Sequence, residues 1–322
     1  MNMTHIHVAV ALLATSWTGS ALVQAQTFPS KPIRIVTAGA GGGSDFTSRQ
    51  IAQAITGPLG QPVIVDNRPS GVIPGDVVAK SPPDGYSLLA TSNTLWLTPF
   101  LRSNVPYDPV RDFAPVTWTN SQPIVLVVHP SLPVKNVKEL IALAKARPGA
   151  LNYSTGTAGT IGHLAGELFN VMAGTKIVRI PYKSGGAETT DLIAGHVQMT
   201  FGSSASVLPQ VKAGKLKAIA VASPKPTTVV PGVPTITDSG LPGFQTSGTI
   251  TGIWAPAKTP DAIINRLNQE MIRYLRTPEA RERFLSQGAE AVGSSPEEFA
   301  AAIKADMAKW GKVIKDANIR DE

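Results

Sequence analysis

The sequence predicts an α/β protein with two lobes, built on mainly parallel sheets flanked by helices. Strand-like and helix-like segments alternate almost throughout, and the strand-like segments end in clusters of Gly, Ser or Thr before the next helix. This order is typical of βαβ units. Of the 322 residues, 43% are apolar and 16% are charged, as in a globular protein. A chain of this length favours about two domains, each of roughly 100–200 residues.

Composition excludes several functional classes. The chain has no cysteine, so disulfide bonds, thiolate metal sites and cysteine nucleophiles are impossible. The net charge is +7, but the Lys and Arg residues are scattered and form no basic stripe. We therefore expect no binding to nucleic acid. A mild positive field favours a small anionic ligand instead.

Residues 1–25 are predicted to be a secretory signal peptide. They contain no Asp, Glu, Lys or Arg, and the apolar segment Val8–Thr15 is followed by Val23-Gln24-Ala25, the small residues that a signal peptidase recognises. The apolar segment is far shorter than the roughly 20 residues that cross a bilayer. We expect cleavage after Ala25 and a soluble, exported protein. The alternative is a buried N-terminal strand or helix.

Two series of elements support the two-lobed prediction. The first begins with a strand at Ile33–Val36, a glycine-rich loop and a helix that ends at Gly57-Pro58. The second begins with a strand at Ile124–Val128 and a helix at Val137–Arg147, which Pro148-Gly149 ends. The later strands of the second series are predicted at residues 151–154, 176–180, 197–201 and 216–221.

The end of the chain is predicted to be helical. Thr259-Pro260-Asp261 and Ser295-Pro296-Glu297 each present a capping residue, a proline and an acid in the first turn. After the second cap, apolar residues at spacings of four, four, three and four predict a helix packed on the core. These residues are Phe299, Ile303, Met307, Trp310 and Ile314.

Two glycine-containing loops each follow a strand and precede a helix. The first is Gly39–Asp45 and the second is Ser154–Thr160. Glycine allows close approach of the backbone, and the amides at a helix N-terminus are unpaired donors at the positive end of the helix dipole. One such loop alone fits a tight turn equally well. Two loops, one in each half of the chain, favour an anion-binding cleft between the halves.

The signals for an enzyme are few. Gly39-Ala40-Gly41 followed by Asp66 is similar to a dinucleotide fingerprint. However, Ser44 replaces the third glycine, and Asp66 lies 27 residues after Gly39, where about 20 is usual. The sequence contains no His-Glu-x-x-His pair, no Walker sequence and no Gly-x-Ser-x-Gly elbow.

Three histidines and one lysine remain as candidates for a ligand-binding role. His163 follows the second glycine loop directly, so it is a candidate for contacting a ligand or for bracing that loop. His129 and His196 fit structural or solvated positions better. Lys183 could pair with an anion, although most lysines are simply solvated.

A series of short motifs runs along almost the whole chain after residue 25. They are Pro29-Ser30-Lys31-Pro32-Ile33, Gly42-Gly43-Ser44-Asp45, Asp66-Asn67-Arg68-Pro69, Pro83-Asp84-Gly85-Tyr86, Pro148-Gly149-Ala150-Leu151-Asn152-Tyr153, Pro181-Tyr182-Lys183, Asp191-Leu192-Ile193-Ala194-Gly195-His196-Val197, Val233-Pro234-Thr235 and Ala255-Pro256-Ala257-Lys258-Thr259-Pro260. Each motif alone is weak. In this order, the sequence closely resembles the periplasmic substrate-binding proteins of tripartite tricarboxylate transporters, the Bug receptor family.

The resemblance implies a periplasmic binding protein of type II, a two-lobed Venus flytrap that closes on a small carboxylated solute. The first lobe would contain residues 26–122 and the C-terminal helices of 254–322, and the second lobe residues 123–253. Backbone amides and ordered water would hold the carboxylate, without catalysis, metal or cofactor. With His163 included, the expected ligand-binding residues are Ala38, Gly39, Gly42, Gly43, Asp45, Thr91, Ser92 and Asn93 in the first lobe, and Ser154, Thr155, Gly156, Thr157, Gly159, Thr160, His163, Tyr182, Ser203 and Ser204 in the second.

The implied partners are a small carboxylate and the membrane subunits of a tripartite transporter, with the receptor as a periplasmic monomer. Two alternatives stay open. One is a secreted enzyme, either a dinucleotide-dependent oxidoreductase or a hydrolase. The other is a sensory receptor that presents its ligand to a signalling protein.

Three departures from the family pattern lie near the expected cleft. They are Ala38-Gly39-Ala40-Gly41 in place of a proline and an aromatic residue, Val72-Ile73-Pro74 within a usual run of small residues, and Ile250 in place of a tryptophan. We therefore consider a larger or partly apolar carboxylate as the ligand.

Overall fold

The computed structural model describes residues 28–69, 71–182 and 185–320. Strands and helices alternate within these ranges, which confirms the predicted α/β class. The predicted signal peptide, residues 1–25, lies outside the described residues. The described strands form two sheets, and each sheet is the centre of one lobe.

Six described strands form the first sheet. They are β1 (Ile33–Thr37), β2 (Val63–Asn67), β3 (Ser87–Ser92), β4 (Phe113–Gln122), β10 (Thr249–Pro256) and β11 (Glu290–Ala291). Their spatial order is β11-β4-β10-β3-β1-β2. The helices that accompany this sheet are α1 (Gly43–Leu59), α2 (Ile73–Ala79), α3 (Thr94–Leu97), α8 (Asp261–Leu275), α9 (Pro278–Ser286) and α10 (Pro296–Asp316), with a short 3-10 helix at Thr98–Phe100.

Five described strands form the second sheet. They are β5 (Ile124–Val128), β6 (Asn152–Thr155), β7 (Val178–Pro181), β8 (Met199–Ser203) and β9 (Lys217–Val221), in the spatial order β7-β6-β8-β5-β9. The helices between these strands are α4 (Val137–Ala146), α5 (Ile161–Ala173), α6 (Gly185–Ala194) and α7 (Ser204–Lys212).

Both sheets are mixed, which corrects the expectation of mainly parallel sheets. In the parts of the chain that the structure describes, four strand pairs are parallel and five are antiparallel. The parallel pairs surround β1 and β6, where helices connect successive strands. Four of the antiparallel pairs involve β10 or β5, the strands that follow the two crossings of the chain between the sheets, and the fifth joins β11 to β4.

The two crossings define the lobes. β4 ends at Gln122 in the first sheet, and β5 begins at Ile124 in the second. The chain returns with β10, which pairs over its whole length in the first sheet. The boundary predicted at 253/254 therefore falls inside a strand of the first sheet. Below, the first lobe denotes residues 28–122 and 249–320, and the second lobe residues 123–248.

The C-terminal helix packs as the apolar stripe predicts. Phe299, Ile303, Trp310 and Ile314 are buried, and Met307 is partly buried against the same cluster. Ser295 and Glu298 form a capping box at the start of α10. The other predicted cap is different: Pro260 is the N-cap of α8, and the hydroxyl of Thr259 donates back to the carbonyl oxygen of Pro256.

Replacing Phe299 with Ala is expected to lower the free energy of unfolding by about 3–5 kcal/mol, because the site cannot close around the lost ring. Phe299 is fully buried, and its ring centroid lies 4.8 Å from that of Trp254. Urea denaturation of the two proteins measures the loss. Phe100→Ala is the matched control, since Phe100 is 41% exposed and should lose much less. Equal losses in the two variants would contradict this view of the core.

Candidate functional site

A cavity of about 210 Å³ lies between the two lobes, at the carboxyl ends of β3, β6 and β8. The carboxyl ends of strands are the usual ligand-binding edge of an open α/β sheet. The first lobe contributes Ser92, Asn93, Thr94 and Thr249 to its wall, and the second lobe Ile124, Thr155, Gly156, Thr160, Ile161, Gly162, Glu188, Phe201, Gly202, Ser203 and Ser206.

A second cavity of about 410 Å³ lies where the chain crosses between the lobes, and its lining includes Pro123, Ser223 and Ser247. None of its lining residues belongs to the first turn of a described helix. Lys225 is the one cation in the described lining of the larger cavity, whereas helix N-termini, which present unpaired amide donors, face the smaller cavity. We therefore take the smaller cavity as the candidate ligand site and call it the cleft cavity.

Two helices of the second lobe begin at the wall of the cleft cavity. Thr160 is the N-cap of α5, and its Oγ1 accepts a hydrogen bond from the amide of His163 at 3.4 Å. The amides of Ile161 and Gly162, in the same first turn, have no partner inside the helix. A methyl group at Gly162 would lie 2.4 Å from the carbonyl oxygen of Phe201, so this turn needs glycine to pack against β8. Ser203 is the N-cap of α7. The positive ends of both helix dipoles therefore face the cavity.

Asn93 forms part of the first-lobe wall, but its side-chain hydrogen bonds are already used. Its Nδ2 donates to Asp306 at 2.9 Å, and its Oδ1 accepts the amide of Ile250 at 2.6 Å. Asp306 also accepts hydrogen bonds from Trp96 Nε1 at 2.8 Å and Ser247 Oγ at 2.5 Å. Asn93 therefore holds the wall in position, while the neighbouring hydroxyls of Ser92 and Thr94 line the cavity beside it.

The second glycine loop touches the opposite lobe. Gly159 has a φ of +82°, and a methyl group there would lie 3.0 Å from Oγ1 of Thr98 in the first lobe. Its amide donates to Nδ1 of His163 at 3.4 Å, and His163 is 1% exposed. His163 thus braces the loop, and the loop brings the two lobes into contact.

Ser203 and Ser204, predicted as a pair, have different surroundings. Ser203 lines the cleft cavity, and its Oγ donates to Oγ of Ser206 at 3.2 Å. Ser204 is fully buried, and its Oγ donates to the carbonyl oxygen of Gly288 in the first lobe. Ser204 therefore connects the lobes behind the cavity wall.

The first glycine loop lies beside the cleft cavity rather than in its described lining. β1, which leads into this loop, pairs with β3, and Oγ1 of Thr37 donates to the carbonyl oxygen of Ala90 at 3.0 Å. The loop is thus next to the strand that ends at Ser92. The loop residues predicted to bind ligand, and absent from the lining, are Ala38, Gly39, Gly42, Gly43 and Asp45.

Asp45 holds the first glycine loop together. Its carboxylate accepts hydrogen bonds from Gly41 N at 3.0 Å, Arg49 Nε at 3.1 Å and Asn67 Nδ2 at 2.8 Å. Burial alone would raise the pKa of Asp45, but the hydrogen bonds from Arg49, Gly41 and Asn67 outweigh burial and lower the pKa. Asp45 stays ionised and paired, and it fixes the backbone of the loop.

Other predicted residues also lie outside the lining. Burial raises the pKa of Tyr182 to about 12, and its hydroxyl donates to Asp191 Oδ2 at 2.7 Å. Ser154 is fully buried behind the wall. Thr91 pairs with Gly252 inside the first sheet, and Thr157 is absent from the lining. Val72-Ile73-Pro74 and Ile250, which depart from the family pattern, are also absent from the lining.

Sequence reasoning missed Glu188, the one ionisable side chain in the described lining of the cleft cavity. Its Oε1 accepts hydrogen bonds from Ser154 Oγ at 3.1 Å and Thr200 Oγ1 at 2.9 Å. Burial raises its pKa, and these two hydrogen bonds oppose that rise only in part. An acid in the first turn of a helix is common, so α6 gave no sign that this one faces a ligand.

Two lobes, each built on one mixed sheet, with a small polar cavity between them are the architecture of a periplasmic binding protein. Residues 47–319 match the family model described as the tripartite tricarboxylate transporter family receptor. The chain belongs to this family, which confirms the resemblance seen in the motifs.

Individual relatives support the same assignment. The chain is 34% identical over 325 residues to protein BugT of Bordetella pertussis, covering 99% of each chain. It is similar to the solved structure of R. palustris Rpa4515 with adipate, at 33% identity and a TM-score of 0.86, covering 91% of this chain and 99% of that chain. It is also similar to MatC (Rpa3494) from Rhodopseudomonas palustris with bound malate, at 28% identity and a TM-score of 0.82, covering 89% and 100%. The predicted fold class is thereby confirmed.

Asp45→Asn is expected to lower the free energy of unfolding at neutral pH by about 1–3 kcal/mol, because the buried hydrogen bonds lose their charged acceptor. A carboxyl whose folded pKa is lowered stabilises the fold above its unfolded pKa of about 3.9, and that contribution is lost as the pH falls through the folded pKa. The difference between wild type and variant should therefore shrink on acidification. Urea denaturation across this pH range measures it.

The control for this prediction is Asp261→Asn, which removes the same charge from an exposed position at the start of α8. Asp261→Asn should lower the free energy of unfolding by less, and this loss should change less with pH. A pH-independent difference for Asp45→Asn would contradict the role given to its carboxylate.

Proposed function

We propose that this protein is an extracytoplasmic receptor that binds a small carboxylated organic anion in the cleft cavity and delivers it to the membrane subunits of a tripartite tricarboxylate transporter. The observation that carries the proposal is the cavity itself, which two helix N-termini and several hydroxyls line without any Lys or Arg among its described residues. Membership of the receptor family supports the same function. So do the adipate and malate bound by two similar structures.

The physical case rests on backbone donors. A carboxylate accepts hydrogen bonds from unpaired amides at a helix N-terminus, where the helix dipole is positive. The amides of Ile161 and Gly162 are donors of this kind at the wall of one small space. Drug-sized ligands fill cavities of about 300–1,000 Å³. A space of about 210 Å³ instead favours a compact solute, and it gives no support to a larger ligand.

Closure of the lobes would couple ligand binding to recognition by the transporter. Residues of both lobes line the cleft cavity, so a ligand makes its full set of contacts only when the lobes approach each other. The close approach of Gly159 to Thr98 would depend on this closure.

The predicted localisation is the periplasm, reached through a signal peptide cleaved after Ala25. In residues 28–69, 71–182 and 185–320, no helix combines the length and the apolar character needed to cross a membrane. The monomeric state and the particular membrane subunits remain predictions that rest on the family.

A thermal-shift panel tests the proposed function. Adipate, malate and other small carboxylates are expected to raise the melting temperature, since a ligand at about 100 times its dissociation constant stabilises the fold by roughly 2.7 kcal/mol. NAD, included for the oxidoreductase alternative, should have no effect. A shift with NAD and none with any carboxylate would overturn the proposal, and so would turnover of a bound acid.

Gly159→Ala is expected to weaken binding of whichever carboxylate the panel identifies. The added methyl group would meet Thr98 and hold the lobes apart by a few tenths of an ångström. Isothermal titration measures the effect, which we expect to be on the order of tenfold, equal to about 1.4 kcal/mol.

Gly149→Ala is the matched control. Gly149 has a φ of +77° and would bear the same backbone strain, but a methyl group there meets nothing within 4 Å. Both variants should lose stability, whereas only Gly159→Ala should lose affinity. Equal affinity in the two variants would argue against closure through this contact.

A further inference from the structure

A cleft that binds an anion contains an acid that should repel it. Glu188 is the one ionisable residue in the described lining of the cleft cavity. None of the described ion pairs involves it, and among the described residues its carboxylate accepts hydrogen bonds from the hydroxyls of Ser154 and Thr200, both at Oε1. An ionised Glu188 would therefore face a ligand carboxylate with no described cation to compensate for the repulsion.

Two acceptors lie within hydrogen-bond distance of the Thr200 hydroxyl, which has a single proton to donate. Oγ1 of Thr200 lies 2.9 Å from Oε1 of Glu188 and 2.8 Å from the carbonyl oxygen of Ser154. A hydroxyl carries one hydrogen, so it can donate to only one of these two acceptors. If Glu188 is protonated at Oε1, it donates to Thr200, Thr200 donates to Ser154, and both short contacts become hydrogen bonds.

No described ion pair supplies an opposing charge to Glu188. Along α6, Asp191 accepts a hydrogen bond from the hydroxyl of Tyr182, and its Oδ1 lies 3.3 Å from Nδ1 of His196. On the neighbouring strand β7, the cation Arg179 uses its Nε to donate to Oγ1 of Thr155. β6 and β8 carry no charged residue, and α7 has only Lys212, at its far end. Lys183 lies outside the described residues.

We propose that Glu188 takes up a proton when the receptor binds a carboxylate, so that its neutral carboxyl group forms part of the binding surface. The inference rests on the proposed function and adds to it a selection by protonation state. A bound carboxylate favours the neutral form of a nearby acid, and burial already does so before the ligand arrives. Linkage then requires that affinity fall as the pH rises above the pKa of Glu188 in the free protein, by up to about tenfold per pH unit.

Isothermal titration with adipate and with malate tests the proposal directly. Both acids are ionised above about pH 6, so any further change in protonation belongs to the protein. Titrations in phosphate and in Tris, which differ in ionisation enthalpy, report the number of protons bound with the ligand. We expect uptake that approaches one proton per ligand, and an affinity that falls toward alkaline pH.

The variant Glu188→Gln tests whether Glu188 is the group that takes up the proton. Glutamine carries no charge, and with its Nε2 in the place of Oε1 it can donate N–H groups to the oxygens of Thr200 and Ser154, so it imitates the neutral state. We expect the variant to bind without proton uptake, with an affinity that does not change with pH, and about tenfold more tightly than wild type at the alkaline end. Glu282→Gln is the control, because Glu282 is exposed on α9 and its variant should keep the wild-type pH dependence. Melting temperatures without ligand confirm that each variant folds.

The outcomes separate the two proposals. If adipate or malate binds wild type without proton uptake, or if Glu188→Gln retains the wild-type pH dependence, the inference about Glu188 is wrong and the proposed function stands. The inference about Glu188 is also wrong if the Glu188→Gln variant folds but no longer binds adipate or malate. If no carboxylate binds at any pH, the proposed function itself fails. Should the variant not fold, the proton count on wild type decides alone.

Discussion

One buried carboxylate connects the parts of the molecule that must keep a fixed geometry around the cleft. Asp306 on α10 is 4% exposed and accepts hydrogen bonds from Asn93, Trp96 and Ser247. These donors belong to the cavity wall, to α3 and to the return crossing between the lobes. A buried charge is costly unless it is fully hydrogen-bonded, so each partner is held where the carboxylate needs it. The C-terminal helix thereby positions a wall that lies more than 200 residues earlier in the chain.

In the proposed site, donors for an anion come from the backbone, since no Lys or Arg belongs to the described lining of the cleft cavity. Amides at the starts of α5 and α7 provide partial positive charge that is fixed in direction and needs no counter-ion, and hydroxyls complete the hydrogen bonds. Donors of this kind contact the carboxylate group and not the rest of the solute. Discrimination must then come from the few side chains that differ among receptors, and Glu188 is the described lining residue with the largest electrostatic consequence.

The predicted site residues have different surroundings in the structure, for reasons that particular residues make clear. Thr160 and Ser203 follow strands and precede helices, and both line the cleft cavity. Asp45 and Ser204 each lie in the first turn of a helix that follows a strand, but Asp45 braces its own loop and Ser204 donates to Gly288 in the other lobe. Neither use is visible in a local pattern, because the partner of each side chain is fixed by how the loop folds or how the lobes meet.

The sequence by itself determined the alternation of strands and helices, the stripe of α10, the two glycine loops and, through its motifs, the family. These features depend on hydrophobic period, on capping residues and on the backbone freedom of glycine, all of which act over a few neighbouring residues. Only the tertiary structure decided the mixed pairing of the sheets, the membership of β10 in the first lobe and the presence of Glu188 in the cleft. Those outcomes depend on which distant surfaces pack together, and a helical acid looks the same in sequence whether it faces solvent or a ligand.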